Sequence, residues 1–144
     1  MKISTIAIAV VAALASTSFA TAQENAGKKL EAVLTGAAEV PGPGDPDGSG
    51  TASIRVNPGQ RQVCYSITVS GIDPARGAHI HEAAAGSAGP IVVNLMPPTS
   101  GSSQGCATIT RELARELIAS PADYYVNIHN PAFPAGAVRG QLSD

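Results

Sequence analysis

A chain of 144 residues has room for one domain, and nine basic against eleven acidic residues leave a net charge of −2. Tryptophan is absent, aromatic residues make up 3%, and Lys28-Lys29 is the largest basic cluster. This composition disfavours nucleic acid and anionic membrane surfaces as partners.

Met1-Lys2 followed by an apolar run from Ile3 to Leu14 and by Ala20-Thr21-Ala22 reads as a signal peptide over residues 1–22. The apolar run is short for a retained membrane-spanning helix. The expectation is a secreted or periplasmic protein with no membrane anchor after cleavage, whose residues 23–144 form a single domain. An unnamed extracytoplasmic partner fits that location.

The mature part reads as short strands separated by turns. Lys29 to Thr35 opens, with Val33 breaking strict alternation, and Gly36 to Gly50 is a loop rich in Gly and Pro. Thr51 to Val56 turns Ala52, Ile54 and Val56 inward, and Asn57-Pro58-Gly59-Gln60 is a turn into Gln62 to Val69. Gly77-Ala78-His79-Ile80-His81 and Gly89 to Leu95 are the next two strands. Ser100 to Gln104 reads as a flexible crossing before a strand from Gly105 to Thr110. Thr110 is placed to cap a helix over Arg111–Ala119, docked by Leu113 and Leu117 and stopped by Ser120-Pro121. Tyr124 to His129, a loop from Asn130 to Gly136 and Ala137 to Leu142 close the chain. Seven or eight short strands with regular turn signals and one short helix predict an all-β, antiparallel, immunoglobulin-like Greek-key β-sandwich.

Side chains on a strand alternate between its faces, so His79 and His81 share one face while Ala78 and Ile80 take the other. The same alternation sets Val126 and Ile128 inward and Asn127 and His129 outward. All three histidines of the chain thus stand on strands, in the register turned away from the core. Imidazole suits copper and zinc, and three histidines with an open position make a known metal site. Residues two apart on a strand lie roughly 6.5–7 Å apart, a gap two rings can close by leaning to a shared ion. In an antiparallel C-terminal hairpin Asn127 faces Arg139 and Tyr125 faces Gln141. Arg139 then joins the histidine face, where it can hold Asn127 or a carboxylate or attract an anion; a surface arginine is the plainer alternative.

Cys64 and Cys106, the two cysteines, each stand in the polar register of a strand. In an exported protein they read as one disulfide. The chain-entropy model gives such a loop about 4 kcal/mol of stabilisation at most.

The segments Cys64 to Val69, Ala78 to His81, Gly89 to Val93, Tyr124 to His129 and Gly136 to Leu142 resemble the CHRD domain, the repeat named after chordin. The likeness runs from about Leu30 to Leu142. Where that family commonly has a glycine after this second histidine, the chain has Glu82-Ala83. The resemblance implies an extracellular module with an immunoglobulin-like sandwich. Its His-x-His strand is similar to the copper-binding strand of copper/zinc superoxide dismutases, a likeness of fold that carries no activity by itself. Dismutases use more metal-binding histidines than the three present here.

Two other motifs are set aside. Gly101-Ser102-Ser103-Gln104-Gly105 matches the Gly-x-Ser-x-Gly pattern of hydrolases but lacks the strand before and helix after. Asp45-Pro46-Asp47-Gly48-Ser49-Gly50 begins like a calcium loop, yet Val56 stands where a bidentate glutamate is required. The reading is therefore a non-catalytic binding module with no catalytic residue assigned. Its candidate copper site is His79, His81 and His129, with zinc as the alternative ion. An adhesion module without metal and a dismutase-like enzyme are the competing classes.

Overall fold

The structure, a computed structural model, describes residues 27–144; the expected signal segment lies outside the described residues. Eight strands form: β1 Lys28–Thr35, β2 Ser49–Asn57, β3 Gln62–Ser70, β4 Gly77–Glu82, β5 Ile91–Leu95, β6 Ser102–Thr108, β7 Tyr124–His129 and β8 Val138–Gln141. All pair antiparallel in one sheet of order β5-β4-β7-β8-β1-β2-β3-β6. The sheet curls until its edge strands β5 and β6 touch, giving a nearly closed barrel. The all-β architecture, with one α-helix among the described residues, matches the sequence reading.

Period-two alternation fills the interior. Leu30, Leu34, Ile54, Val56, Val63, Ile67, Ile80, Val126 and Ile128 are fully buried and make one cluster. Each such aliphatic side chain contributes roughly 1.5–3 kcal/mol when removed from water. In β1 the alternation is strict after all: Leu30, Ala32 and Leu34 point inward and Val33, 74% exposed, points out.

The helix α1 spans Arg111–Ala119, and the Thr110 hydroxyl accepts from the Leu113 N–H at 3.1 Å as expected of an N-cap. Leu117 and Ala114 are buried against the barrel, with Leu113 packed at the edge. Strand β6 starts at Ser102, three residues earlier than its composition suggests. Its small polar residues read as loop, but seven consecutive pairs with β3, from Gln62↔Thr108 to Thr68↔Ser102, outweigh that propensity. Cys64 and Cys106 lie directly opposite in this ladder and are joined by the disulfide, which ties edge strand β6 to β3. The Gly-x-Ser-x-Gly run is thus mostly a strand. Asp45 forms a local turn, accepting from the Asp47 N–H on its carboxylate and from the Gly48 N–H on its carbonyl.

Candidate metal centre

Strands β4 and β7 run side by side with His79 opposite Asn127, His81 opposite Tyr125 and Gly77 opposite His129. Ala78, Ile80, Val126 and Ile128 fill the interior, so the pleat sends the three histidines together to the outer face. Their ring centroids lie 5.1 Å (His79–His129), 5.6 Å (His79–His81) and 6.4 Å (His81–His129) apart. One candidate ligand nitrogen from each ring falls within 4.8 Å of the others. Zinc–nitrogen bonds of about 2.0–2.1 Å place ligand atoms about 3.3–4.1 Å apart, so closing on one ion takes shifts of about 1 Å or less.

Hydrogen bonds decide which nitrogen two of the rings present. His81 Nδ1 lies 2.9 Å from the Gly89 carbonyl, and His129 Nδ1 lies 3.0 Å from the Pro134 carbonyl. A carbonyl oxygen only accepts, so both Nδ1 atoms carry a proton, and in a neutral ring the lone pair is left on Nε2. Those two Nε2 atoms, with His79 Nδ1, are buried and have no partner within the protein. Three clustered imidazoles that each carry a buried, unpartnered nitrogen are uncommon, because a buried polar atom without a partner is costly. The donor set fits an ion that takes imidazole nitrogen. Backbone carbonyls behind two of the rings supply the outer support that ligating histidines ordinarily have.

The electrostatics favour neutral rings. Burial, followed by the charges of His129 and His81, pushes the His79 pKa down to about 4. His81 is also lowered, first by burial; the Gly89 carbonyl opposes this, while His129 and Arg139 add to it. Near neutral pH these two rings keep the lone pairs that a metal requires.

Above the rings opens a cleft of about 520 Å³, walled by Gly77, Ile91, Pro131 and Pro134 with Arg76 at the rim. A second hollow, of about 620 Å³, lies by Lys29, Arg55 and the disulfide on the other half of the sheet, and among the described residues it gathers no cluster of metal-ligating side chains.

The hairpin register is as predicted, with Tyr125↔Gln141 and Asn127↔Arg139. Arg139 does stand on the histidine face, but it is only 1% exposed and Asn127 only 3%. Loops cover this face, so the plainer reading of Arg139 as a surface residue does not hold. Asn127 donates to Glu39 Oε1 at 2.6 Å, beneath the same loops.

The sequence alone assigns no role at this site to Glu39, Tyr125, Gly89 or Pro134. Glu39 is 5% exposed, and its carboxyl is raised to about 7, chiefly by burial, against the opposing pull of Arg139 and Asn127. A Cβ at Gly136, where φ is +147°, would collide with that carboxylate. A lone glutamate in a Gly/Pro-rich loop carries no signal that it is buried. The two carbonyls are invisible in principle, since every residue has one.

A single antiparallel β-domain with one disulfide and a three-histidine cluster on its outer face is the class that this geometry defines. The family model described as the CHRD domain matches residues 30–142, and the chain belongs to that family. No curated protein matches it.

Proposed function

We propose that this chain is an exported, non-catalytic binding module that holds one copper ion on His79 Nδ1, His81 Nε2 and His129 Nε2, with zinc the alternative ion. The observation that carries the proposal is the clustering of three imidazoles, each with a buried, unpartnered nitrogen and two held by backbone carbonyls. Copper(II) is preferred because its affinity for nitrogen sites exceeds that of zinc. Three protein ligands leave a coordination position open toward the cleft. Asn127 and Arg139 lie outside the ligand set and support it from the same face.

Export to the periplasm or beyond is supported by the N-terminal sequence pattern and by a disulfide, which persists in oxidising compartments. The Greek-key, immunoglobulin-like grouping belongs to the same proposal. Its support is that the connections from β3 to β4 and from β6 to β7 each join strands that are not neighbours. The apolar mouth formed by Ile91, Pro131 and Pro134 gives the metal-free adhesion reading its one specific support.

Titrating the metal-free protein with copper(II) at neutral pH separates the two readings. One copper per chain is expected, with electron paramagnetic resonance showing nitrogen ligation. His79→Ala, His81→Ala and His129→Ala should each weaken binding at least tenfold. Protein that takes up no copper or zinc would overturn the metal site and leave the adhesion module.

A further inference from the structure

The loop Ala83–Pro90, which follows His81, carries the carbonyl that fixes the His81 tautomer. This loop is held from beneath. Arg139 donates from its two terminal nitrogens to the Ser87 carbonyl at 2.7 Å and the Ala84 carbonyl at 3.1 Å. Gln141 accepts from Arg139 at 2.8 Å and donates to the Ala83 carbonyl at 3.0 Å. At the far end of the loop the Gly89 N–H donates to the Tyr125 hydroxyl at 3.3 Å, and the Gly89 carbonyl accepts the hydrogen bond from His81 Nδ1–H.

A second route joins the same residues. The Tyr125 ring lies parallel to the His81 ring, with centroids 4.8 Å apart and planes 9° apart. The Arg139 guanidinium carbon sits 3.4 Å from the centroid of the Tyr125 ring. A buried guanidinium, an aromatic ring and an imidazole therefore share one arrangement, and two hydrogen-bonded ends of one loop close it.

We infer that Arg139 is a positioning residue for His81: by holding the Ala83–Pro90 loop and the Tyr125 ring, it fixes the orientation and tautomer in which His81 Nε2 faces the other two imidazoles. A planar guanidinium can serve the Ser87 and Ala84 carbonyls and Gln141 at once while lying over an aromatic face. A lysine ammonium cannot reproduce that set. The departure of Glu82-Ala83 from the family pattern falls at the start of this loop, and both residues are accommodated. Glu82 extends β4 opposite Tyr124, and the Ala83 carbonyl accepts from Gln141. A glycine is needed instead at position 89, where a Cβ would lie 1.9 Å from the Glu82 carbonyl oxygen.

The effect on copper affinity rests on the proposed metal site, whereas the effect on His81 does not. The experiment is therefore run first without metal. Long-range nitrogen–proton spectra of the imidazoles at pH 8 should show His81 wholly protonated on Nδ1 in the native protein. In Arg139→Met and Arg139→Lys, His81 should become a mixture of tautomers while His129, held by Pro134, stays unchanged. Copper(II) affinity should fall by about 10–100-fold in the same variants, the usual range for loss of support behind a ligand. A lower melting temperature with an unchanged His81 tautomer and unchanged copper affinity would reduce Arg139 to a structural role and overturn the inference.

Should the Arg139 variants not fold, Tyr125→Phe keeps the ring stack and removes only the acceptor of the Gly89 N–H. It should shift the His81 tautomer in the same direction, and no shift would overturn the inference. A tautomer that responds in protein that binds no copper would uphold the positioning role and sink the metal site alone.

Discussion

Replacing Glu39 by glutamine should stabilise the protein at alkaline pH and do little in mild acid. The carboxyl is buried beside Asn127 and Arg139, its second oxygen has no partner, and burial raises it from 4.5 to about 7. A raised folded-state pKa means that folding favours the protonated acid. The associated stability is fully present below pH 4.5, the unfolded value, and is lost as pH rises through about 7. A rise from 4.5 to about 7 gives a ceiling of about 3.4 kcal/mol, of which about 2.5 kcal/mol falls between pH 5 and 8. The amide keeps an oxygen for the Asn127 N–H and never ionises, so it escapes this loss. The assay is urea denaturation of both proteins at pH 5, 6, 7 and 8, reading the difference between them at each pH. Taking the difference cancels the histidines, whose lowered pKa values act in the opposite direction on the acid side. The expected gain for Glu39→Gln is under 1 kcal/mol at pH 5 and about 2–3 kcal/mol at pH 8. A difference that stays flat with pH, or a variant less stable at pH 8, would refute the argument that Glu39 is held against its charge.

Cys64 and Cys106 should yield no titratable thiol in denatured, unreduced protein. The double serine variant should lose up to about 4 kcal/mol on the chain-entropy model for a separation of 42 residues. Gly89→Ala should weaken copper binding, because its Cβ must displace the Glu82 carbonyl and with it the Gly89 carbonyl; unchanged affinity would mean that the loop relaxes freely. Ile80→Ala empties a fully buried site on the inner side of the histidine strand and should cost about 2–5 kcal/mol in chemical denaturation.

Most strands were legible because their signal is local. Ala52, Ile54 and Val56, or Val126 and Ile128, alternate with polar neighbours, and a period of two has one meaning on a half-buried sheet. The helix was readable from Thr110, Leu113 and Leu117 for the same reason. Val33 is an apolar residue on the outward side of β1, between the buried Ala32 and Leu34, so it does not interrupt the alternation. What composition hid was β6: Ser102, Ser103 and Gln104 have little strand character of their own and extend because β3 offers a paired edge.

The histidine face shows why alternation reads direction and not surroundings. It places His79, His81, Asn127, His129 and Arg139 on one side of the sheet, as found, but leaves open whether that side is the surface. In β7 every residue from Tyr124 to Ile128 is buried, because loops fold back over the outer face. That cover turns a polar face into a site: it desolvates the imidazoles, lowers the pKa values of His79 and His81, and brings the Gly89 and Pro134 carbonyls behind His81 and His129. The strands supply a common register for three rings, which the sequence pattern contains, and the pairing of β4 with β7 that brings the rings together, which it does not. The loops supply tautomer and burial, which depend on contacts between residues as distant as Ser87 and Arg139 and leave no periodic trace. A metal site argued from spacing alone would apply equally to three solvated histidines; the orphaned Nδ1 of His79 and Nε2 atoms of His81 and His129 separate the two cases.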